Sequence, residues 1–343
     1  MSEFSLEAEL NKALKRKEEE EKTSDVVDTN QEENEENYDD EDDYDYEEYE
    51  EDGECEEEVV EISENELLAM LDAQKDPFEV CKQIFNEEKL FDSSLDDNTV
   101  LIEPNLTIQH LRALHTKGFV VVDNFVPLED ASTIYQLAKK LSHTFKPACE
   151  LKKSYEDSCE DEFRDNTARS DLIKWLHPKD FTCREDGRLE NLSEDDAAWK
   201  KNQTLVNIVL NKFKVIQKIL HDYSQCIKYS DETMELMWSL YRETGTYYEK
   251  HRDSFPSNGK DEGPLDQRKV TALLYLNTEW KGEEDGGQLN IFVKPEQCTK
   301  HTERTTIKID PIACRLVLFL SGALDHEVLK SYKDRVALTS WFS

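Results

Sequence analysis

Apolar residues at helical spacing occupy the middle of the chain. Leu67, Leu68 and Leu71 within Glu64–Ala73, and Phe78, Val80, Ile84 and Phe85 within Pro77–Phe85, predict two short helices that belong either to the fold or to a docking segment. Thr107 can cap a helix whose apolar face is Ile108, Leu111 and Leu114, and Gly118 ends it. The β-branched run Phe119–Phe125 predicts a strand, closed by Asp123-Asn124 and Pro127. Glu129–Phe145 then reads as an amphipathic helix through Ile134, Leu137, Ala138 and Leu141. Residues 146–166 are polar and give little signal, whereas Thr204–Ile227 places Leu205, Ile208, Val209, Phe213, Ile216, Ile219 and Leu220 on one face of a long helix.

From Glu232 the texture changes to short runs rich in β-branched and aromatic residues. They are Met234–Arg242, Tyr247–Asp253, Lys269–Asn277, Gln288–Val293, Thr305–Ile309, Arg315–Leu320, His326–Leu329 and Arg335–Phe342. Turn chemistry separates them, for example Gly286-Gly287, Asp310-Pro311 and Ser321-Gly322. Eight closely spaced strands with helices outside predict a mainly β fold with flanking helices, most economically a double-stranded β-helix of jelly-roll type.

Charge changes the picture only at the N-terminus. Of the formal net charge of −36, about −26 falls in residues 1–66, and Glu32–Glu58 holds 19 acidic residues in 27 positions with no Lys or Arg. Self-repulsion and lack of apolar surface predict a disordered acidic tail over 1–61, able to dock a basic protein partner through Tyr38, Tyr44, Tyr46 and Tyr49. A helical linker or docking segment over 62–103 and a catalytic domain over 104–343 complete the expected organisation. No basic run supplies a nucleic-acid footprint, no apolar stretch is long enough for a membrane span, and the charged first residues lack a secretory pattern. The expectation is a soluble protein of the cytoplasm and/or nucleus with no nucleic-acid or membrane partner. Eight scattered cysteines without a CxxC pair read as reduced thiols.

The candidate chemistry lies in the strands. His251 and Asp253 are two apart in an expected strand, so both side chains leave one face. His301-Thr302-Glu303 has the same spacing, but its neighbours Lys300 and Arg304 read as an exposed loop. His326, 73 residues after Asp253, supplies a third ligand for the first pair. Two imidazoles and a carboxylate form the facial triad of non-haem Fe(II) oxygenases, which leaves positions open for co-substrate and oxygen. Arg335, nine residues after His326, can bind a carboxylate bidentately, and the Tyr275 hydroxyl can reach the same group.

The ordered set Tyr241 to His251-Arg252-Asp253, Arg268-Lys269-Val270-Thr271 to Tyr275-Leu276-Asn277, Gly286-Gly287-Gln288-Leu289, His326-Glu327-Val328 and Arg335 to Trp341-Phe342 resembles the 2-oxoglutarate-dependent prolyl 4-hydroxylases. It is most similar to their intracellular, hypoxia-inducible-factor branch. Arg169-Ser170-Asp171-Leu172-Ile173-Lys174-Trp175 is similar to a segment that this branch places before the metal strands. The resemblance covers about residues 104–343. It implies Fe(II) on His251, Asp253 and His326, and 2-oxoglutarate bridged by Arg335 with help from Tyr275. It also implies a pocket lined by Tyr241, Thr271 and Leu289, and a substrate loop ordered by Arg268, Asp171 and Arg169, with Arg268 pairing Asp171.

O2 would be the second co-substrate and L-ascorbate the reductant. The implied reaction hydroxylates a prolyl residue of an intracellular protein or peptide and releases succinate and CO2. Ser254–Gln267 is longer than the corresponding loop of the hypoxia-type enzymes, so substrate choice does not transfer with the metal site. Oxidation of another side chain or a small metabolite, action on nucleic acid, and a non-catalytic acidic interaction protein on the same fold remain the alternatives.

Overall fold

The computed structural model describes residues 75–148, 150–152, 163–165, 168–178, 194–258, 268–295 and 303–343. The acidic run, the helix expected over Glu64–Ala73 and His301 lie outside these residues.

The alternation of β-branched and polar residues in the second half of the chain builds two facing antiparallel sheets. The strands are β1 (Phe119–Val122), β2 (Lys146–Pro147), β3 (Leu172–Leu176), β4 (Met234–Tyr241), β5 (Thr246–His251), β6 (Val270–Tyr275), β7 (Leu289–Val293), β8 (Thr305–Ile309), β9 (Leu316–Leu320), β10 (Asp325–Ser331) and β11 (Arg335–Phe342). The larger sheet has the order β1-β9-β6-β11-β4-β3-β2, and the smaller one β8-β7-β10-β5. Strands β4 to β11 form the expected jelly roll, four in each sheet.

Helices and sheets contribute side chains to one continuous apolar core. The helices are α1 (Pro77–Cys81), α2 (Glu87–Leu90), α3 (Ile108–Lys117), α4 (Leu128–Lys140), α5 (Glu194–Lys200), α6 (Gln203–Ile208) and α7 (Lys214–Tyr223). Gly118 closes α3 in the left-handed region (φ 79°), where its backbone N–H donates to Leu114.

Three details depart from the sequence reading. The helix expected over Thr204–Ile227 is interrupted by a π-turn, Val209–Phe213, between α6 and α7. The segment read as a linker is part of the domain from α1 onward, because Cys81, Ile84, Phe85 and Leu90 are buried in the common core. Strand β3 had no hydrophobic alternation to announce it: Lys174 and exposed Trp175 occupy its middle. It forms because Leu172–Leu176 pairs with Leu240–Leu236 of β4 along its whole length.

Burial of α1 has a titratable consequence. Burial pushes the Cys81 thiol up to about 11 from an ordinary 9.0. Because the unfolded thiol ionises first, its contribution to stability is intact below pH 9 and is lost as pH rises through 11. Wild type is expected to lose roughly 3 kcal/mol of stability over that window through this group, and Cys81→Ala to lose correspondingly less, as measured by urea unfolding across pH.

Candidate metal and 2-oxoglutarate site

Cross-strand pairs assemble the site inside the jelly roll. His251, the last residue of β5, lies opposite His326 on β10. On the facing sheet, Thr271 of β6 lies opposite Trp341 of β11, and Tyr241 of β4 lies opposite Arg335 at the start of β11. Directly opposed residues on one face stand close enough to act on a common group. A cavity of about 160 Å³ between the sheets is lined by His251, Asp253, Thr271, Leu289, His326 and Arg335 among others.

Asp253 is not in the strand, as its spacing from His251 had suggested; β5 stops at His251 and Asp253 follows two residues later. Side chains rather than the pleat set its position. The intervening Arg252 donates to Asp325 at 2.8 Å, tying this turn to the residue preceding His326. Asp253 Oδ2 accepts a hydrogen bond from Thr271 Oγ1 at 2.7 Å and from Trp341 Nε1 at 3.0 Å. Its other oxygen, Oδ1, lies 3.6 Å from Nε2 of both His251 and His326.

The imidazoles are oriented by the backbone. Nδ1 of His251 donates to the Glu249 carbonyl at 2.7 Å and Nδ1 of His326 to the Leu324 carbonyl at 3.3 Å, so each ring turns its Nε2 toward Asp253. Burial, reinforced by the neighbouring His251, pushes His326 down to about 4, which keeps it neutral at physiological pH. For Asp253, burial acts to raise the pKa, but His326, His251 and the Thr271 hydroxyl outweigh it and hold the carboxyl well below the usual range. Among the described residues, these three form the one group of His, Cys, Asp or Glu side chains able to converge on an ion, with ligand atoms within 4.8 Å of one another. Two imidazoles and a carboxylate fit a divalent first-row metal such as Fe(II).

Arg335 supplies a second kind of site in the same cavity. It is 2% exposed, its guanidinium lies over the rings of Tyr241 (4.7 Å) and Tyr275 (5.0 Å), and no carboxylate pairs with it among the described residues. Its Nε and the Tyr275 hydroxyl are buried without hydrogen-bond partners. Burial raises the Tyr275 pKa, so the phenol stays a donor. A buried cation beside an unused hydroxyl is costly alone and fits a carboxylate ligand. Tyr275 itself stands behind Arg335 rather than among the residues lining the cavity.

Asn277 braces the start of β11: its Oδ1 accepts from Val336 N at 2.6 Å and its Nδ2 donates to the Pro311 carbonyl at 2.7 Å. Gly287, at φ 65°, leaves the room that Arg335 needs, since a Cβ there would stand 3.0 Å from Arg335 Cδ and 2.9 Å from Ser331 Oγ. Gly287→Ala is therefore expected to weaken 2-oxoglutarate binding about tenfold with metal binding retained, a shift of about 1.4 kcal/mol readable by calorimetry.

The residues assigned to the substrate loop separate into two clusters. Arg268 does not pair with Asp171. Asp171 is taken by Arg169, two residues away along the same extended segment, through two bonds of 2.8 Å. Arg268 instead donates to Glu235 at 3.1 Å and lies 4.4 Å above the Trp341 ring. Arg169 also covers Tyr248 at 4.1 Å, and Tyr248 stacks on His251 at 3.6 Å.

Two contributors escaped the sequence reading. Trp341 shares the period-two face of Arg335, which could have revealed it. Tyr248 could not have been found this way, because the register shift between β5 and β10 sets three residues of β5 against two of β10 and so brings Tyr248 and His251 to one face.

The comparisons with known proteins bear on this geometry. Residues 236–343 match the 2OG-Fe(II) oxygenase superfamily. The matched segment takes in β4 from its third residue and all of β5 to β11, and with them all three members of the triad, Tyr275 and Arg335.

The chain is 29% identical over 235 residues to a hypoxia-inducible factor prolyl hydroxylase of Caenorhabditis elegans, covering 68% of this chain and 27% of that protein. It is 29% identical over 231 residues to Egl nine homolog 1 of Homo sapiens, covering 67% of this chain and 44% of that protein. The chain thus spans less than half the length of these two relatives. A Trichoplax adhaerens prolyl hydroxylase solved with a hypoxia-inducible factor peptide fragment is 25% identical, with a TM-score of 0.46, over 68% of this chain and 86% of that one. No helix among the described residues is long and apolar enough to cross a membrane.

Proposed function

We propose that this chain is an Fe(II)- and 2-oxoglutarate-dependent dioxygenase that hydroxylates a prolyl residue of an intracellular protein or peptide. The observation that carries the reading is one cavity holding both the convergent triad His251, Asp253 and His326 and the buried, uncompensated Arg335. The triad would hold Fe(II), while Arg335, with the Tyr275 ring packed against its guanidinium, would take the distal carboxylate of 2-oxoglutarate. When bound, these groups supply a coupled oxidation in which 2-oxoglutarate, O2 and a C–H bond become succinate, CO2 and C–OH.

The chain's own residues provide orientation and exclusion of water. Leu273, Leu289, Phe319 and Val328 line the cavity with apolar surface. Tyr241 remains a protonated donor at the Arg335 end, because burial raises its pKa. At the mouth, Trp175 is exposed and its ring lies 5.8 Å from that of Trp341, offering an aromatic face beside Arg268 to an incoming prolyl segment.

The prolyl hydroxylases among the relatives support a proline-containing substrate. L-ascorbate would serve as reductant, the cytoplasm and/or nucleus as location, and the acidic residues of 32–58 as a docking arm for a basic partner. The direct test incubates the protein with Fe(II), 2-oxoglutarate, ascorbate and proline-containing peptides, and follows succinate together with peptide mass. A peptide-dependent rise in succinate with one oxygen added at proline is the expected result. Oxygen added at another residue, or turnover driven by small metabolites alone, overturns the prolyl assignment.

A further inference from the structure

The second oxygen of Asp253 is held in a way that the metal centre itself does not require. We propose that Trp341 and Thr271 are positioning residues that keep Asp253 a one-oxygen ligand, with their two donors fixing Oδ2 and turning Oδ1 alone toward the imidazoles. This rests on the reading of His251, Asp253 and His326 as a metal centre.

Asp253 lies beyond the end of β5, so no sheet ladder orients it. The two donors, in contrast, are set on rigid ground. Thr271 and Trp341 are directly opposed in the β6–β11 ladder, at the centre of the larger sheet. Their bonds to Oδ2 are 2.7 and 3.0 Å and involve an ionised acceptor. Thr271 Oγ1 also lies 2.8 Å from Ser321 Oγ, which limits its rotation. The Trp341 ring is held by the Arg268 guanidinium at 4.4 Å and by Trp175 at 5.8 Å.

A carboxylate free to rotate can offer either oxygen or both to a metal. With Oδ2 engaged twice, Asp253 presents Oδ1 alone, 3.6 Å from each imidazole Nε2. The consequence would be economy of coordination positions: with a metal bound, the carboxylate would use one and leave the others free for co-substrates.

The experiment titrates metal-free protein with Mn(II), read by calorimetry and by the Mn(II) resonance signal, without turnover. Trp341→Phe keeps the ring and removes the N–H; Thr271→Val removes the hydroxyl, and Thr271→Ser restores it. Trp341→Phe and Thr271→Val are each expected to weaken Mn(II) binding about tenfold or more, while Thr271→Ser stays within about threefold of wild type. Circular dichroism of the metal-free variants reports folding. If Trp341→Phe fails to fold, the Val and Ser variants at position 271 still decide the matter. Wild-type affinity in Thr271→Val, or equal weakening by Ser and Val, overturns the proposal while leaving the metal centre standing. No Mn(II) binding by folded wild type overturns the metal centre and the proposal with it.

Discussion

Arg335→Met is expected to raise the dissociation constant for 2-oxoglutarate about a hundredfold while leaving the metal-free protein at least as stable as wild type. The two halves of this result have one cause. Arg335 is a fully enclosed cation with an unpartnered Nε, and its neighbours are two phenol rings rather than a carboxylate. A buried charge without a counter-ion costs stability, so an apolar side chain of similar length relieves the metal-free fold. The ligand, however, would lose its charge-assisted partner inside the cavity, a loss of about 3 kcal/mol. Calorimetric titration of the Mn(II)-loaded protein with 2-oxoglutarate measures the first half and thermal melting of the metal-free protein the second. A large loss of stability without loss of 2-oxoglutarate affinity would mean that Arg335 is a structural residue.

Asp253→Ala is expected to have the largest effect on metal. Structural sites gain about 10–16 kcal/mol from a full ligand set, so removal of one ligand of three should cost about 3–4 kcal/mol, a fall in affinity of several hundredfold or more. The change also strands the Trp341 N–H, which donates to Oδ2, at about 1–3 kcal/mol for an unsatisfied donor, while the Thr271 hydroxyl loses Oδ2 but keeps Ser321 Oγ. Metal-free Asp253→Ala should therefore melt below wild type, opposite in sign to Arg335→Met. Measuring the two variants side by side separates a ligand that the fold has already satisfied from a cation that it has left unpaired.

How much of this could be read from the chain depended on whether period-two alternation or tertiary contact set the position. The eight jelly-roll strands fell within one or two residues of their expected ends for the most part, because each has a face buried in the core. His326 and Arg335 sit on strands that the alternation announced, whereas Thr271 and Leu289 entered only through the resemblance, although their strands too are regular. Asp253 reaches the same place for a different reason: the strand ends before it, and the Thr271, Trp341 and Arg252 side chains complete the turn.

Tertiary contact was the part that spacing could not supply. β3 is held by its ladder to β4, not by its own hydrophobicity. The stacking of Tyr248 on His251 depends on a bulge that no composition signals. The partner of Asp171 was misjudged because Arg169 and Arg268 carry the same charge, and only the fold shows that Arg268 lies across the site against Glu235 and Trp341. The helix over Thr204–Ile227 kept its apolar face through the π-turn, so periodicity located it without revealing the interruption.

The most direct measurement is an anaerobic titration of metal-free protein with Fe(II) and then 2-oxoglutarate, followed through the visible metal-to-ligand charge-transfer absorption of their chelate. The expected result is a band that saturates at one equivalent of each in wild type, disappears in His251→Ala, and demands about a hundredfold more 2-oxoglutarate in Arg335→Met. A folded wild-type protein that binds Fe(II) and 2-oxoglutarate without producing this band, or that binds neither, would contradict the central claim that the two sites in the cavity serve one metal–co-substrate pair.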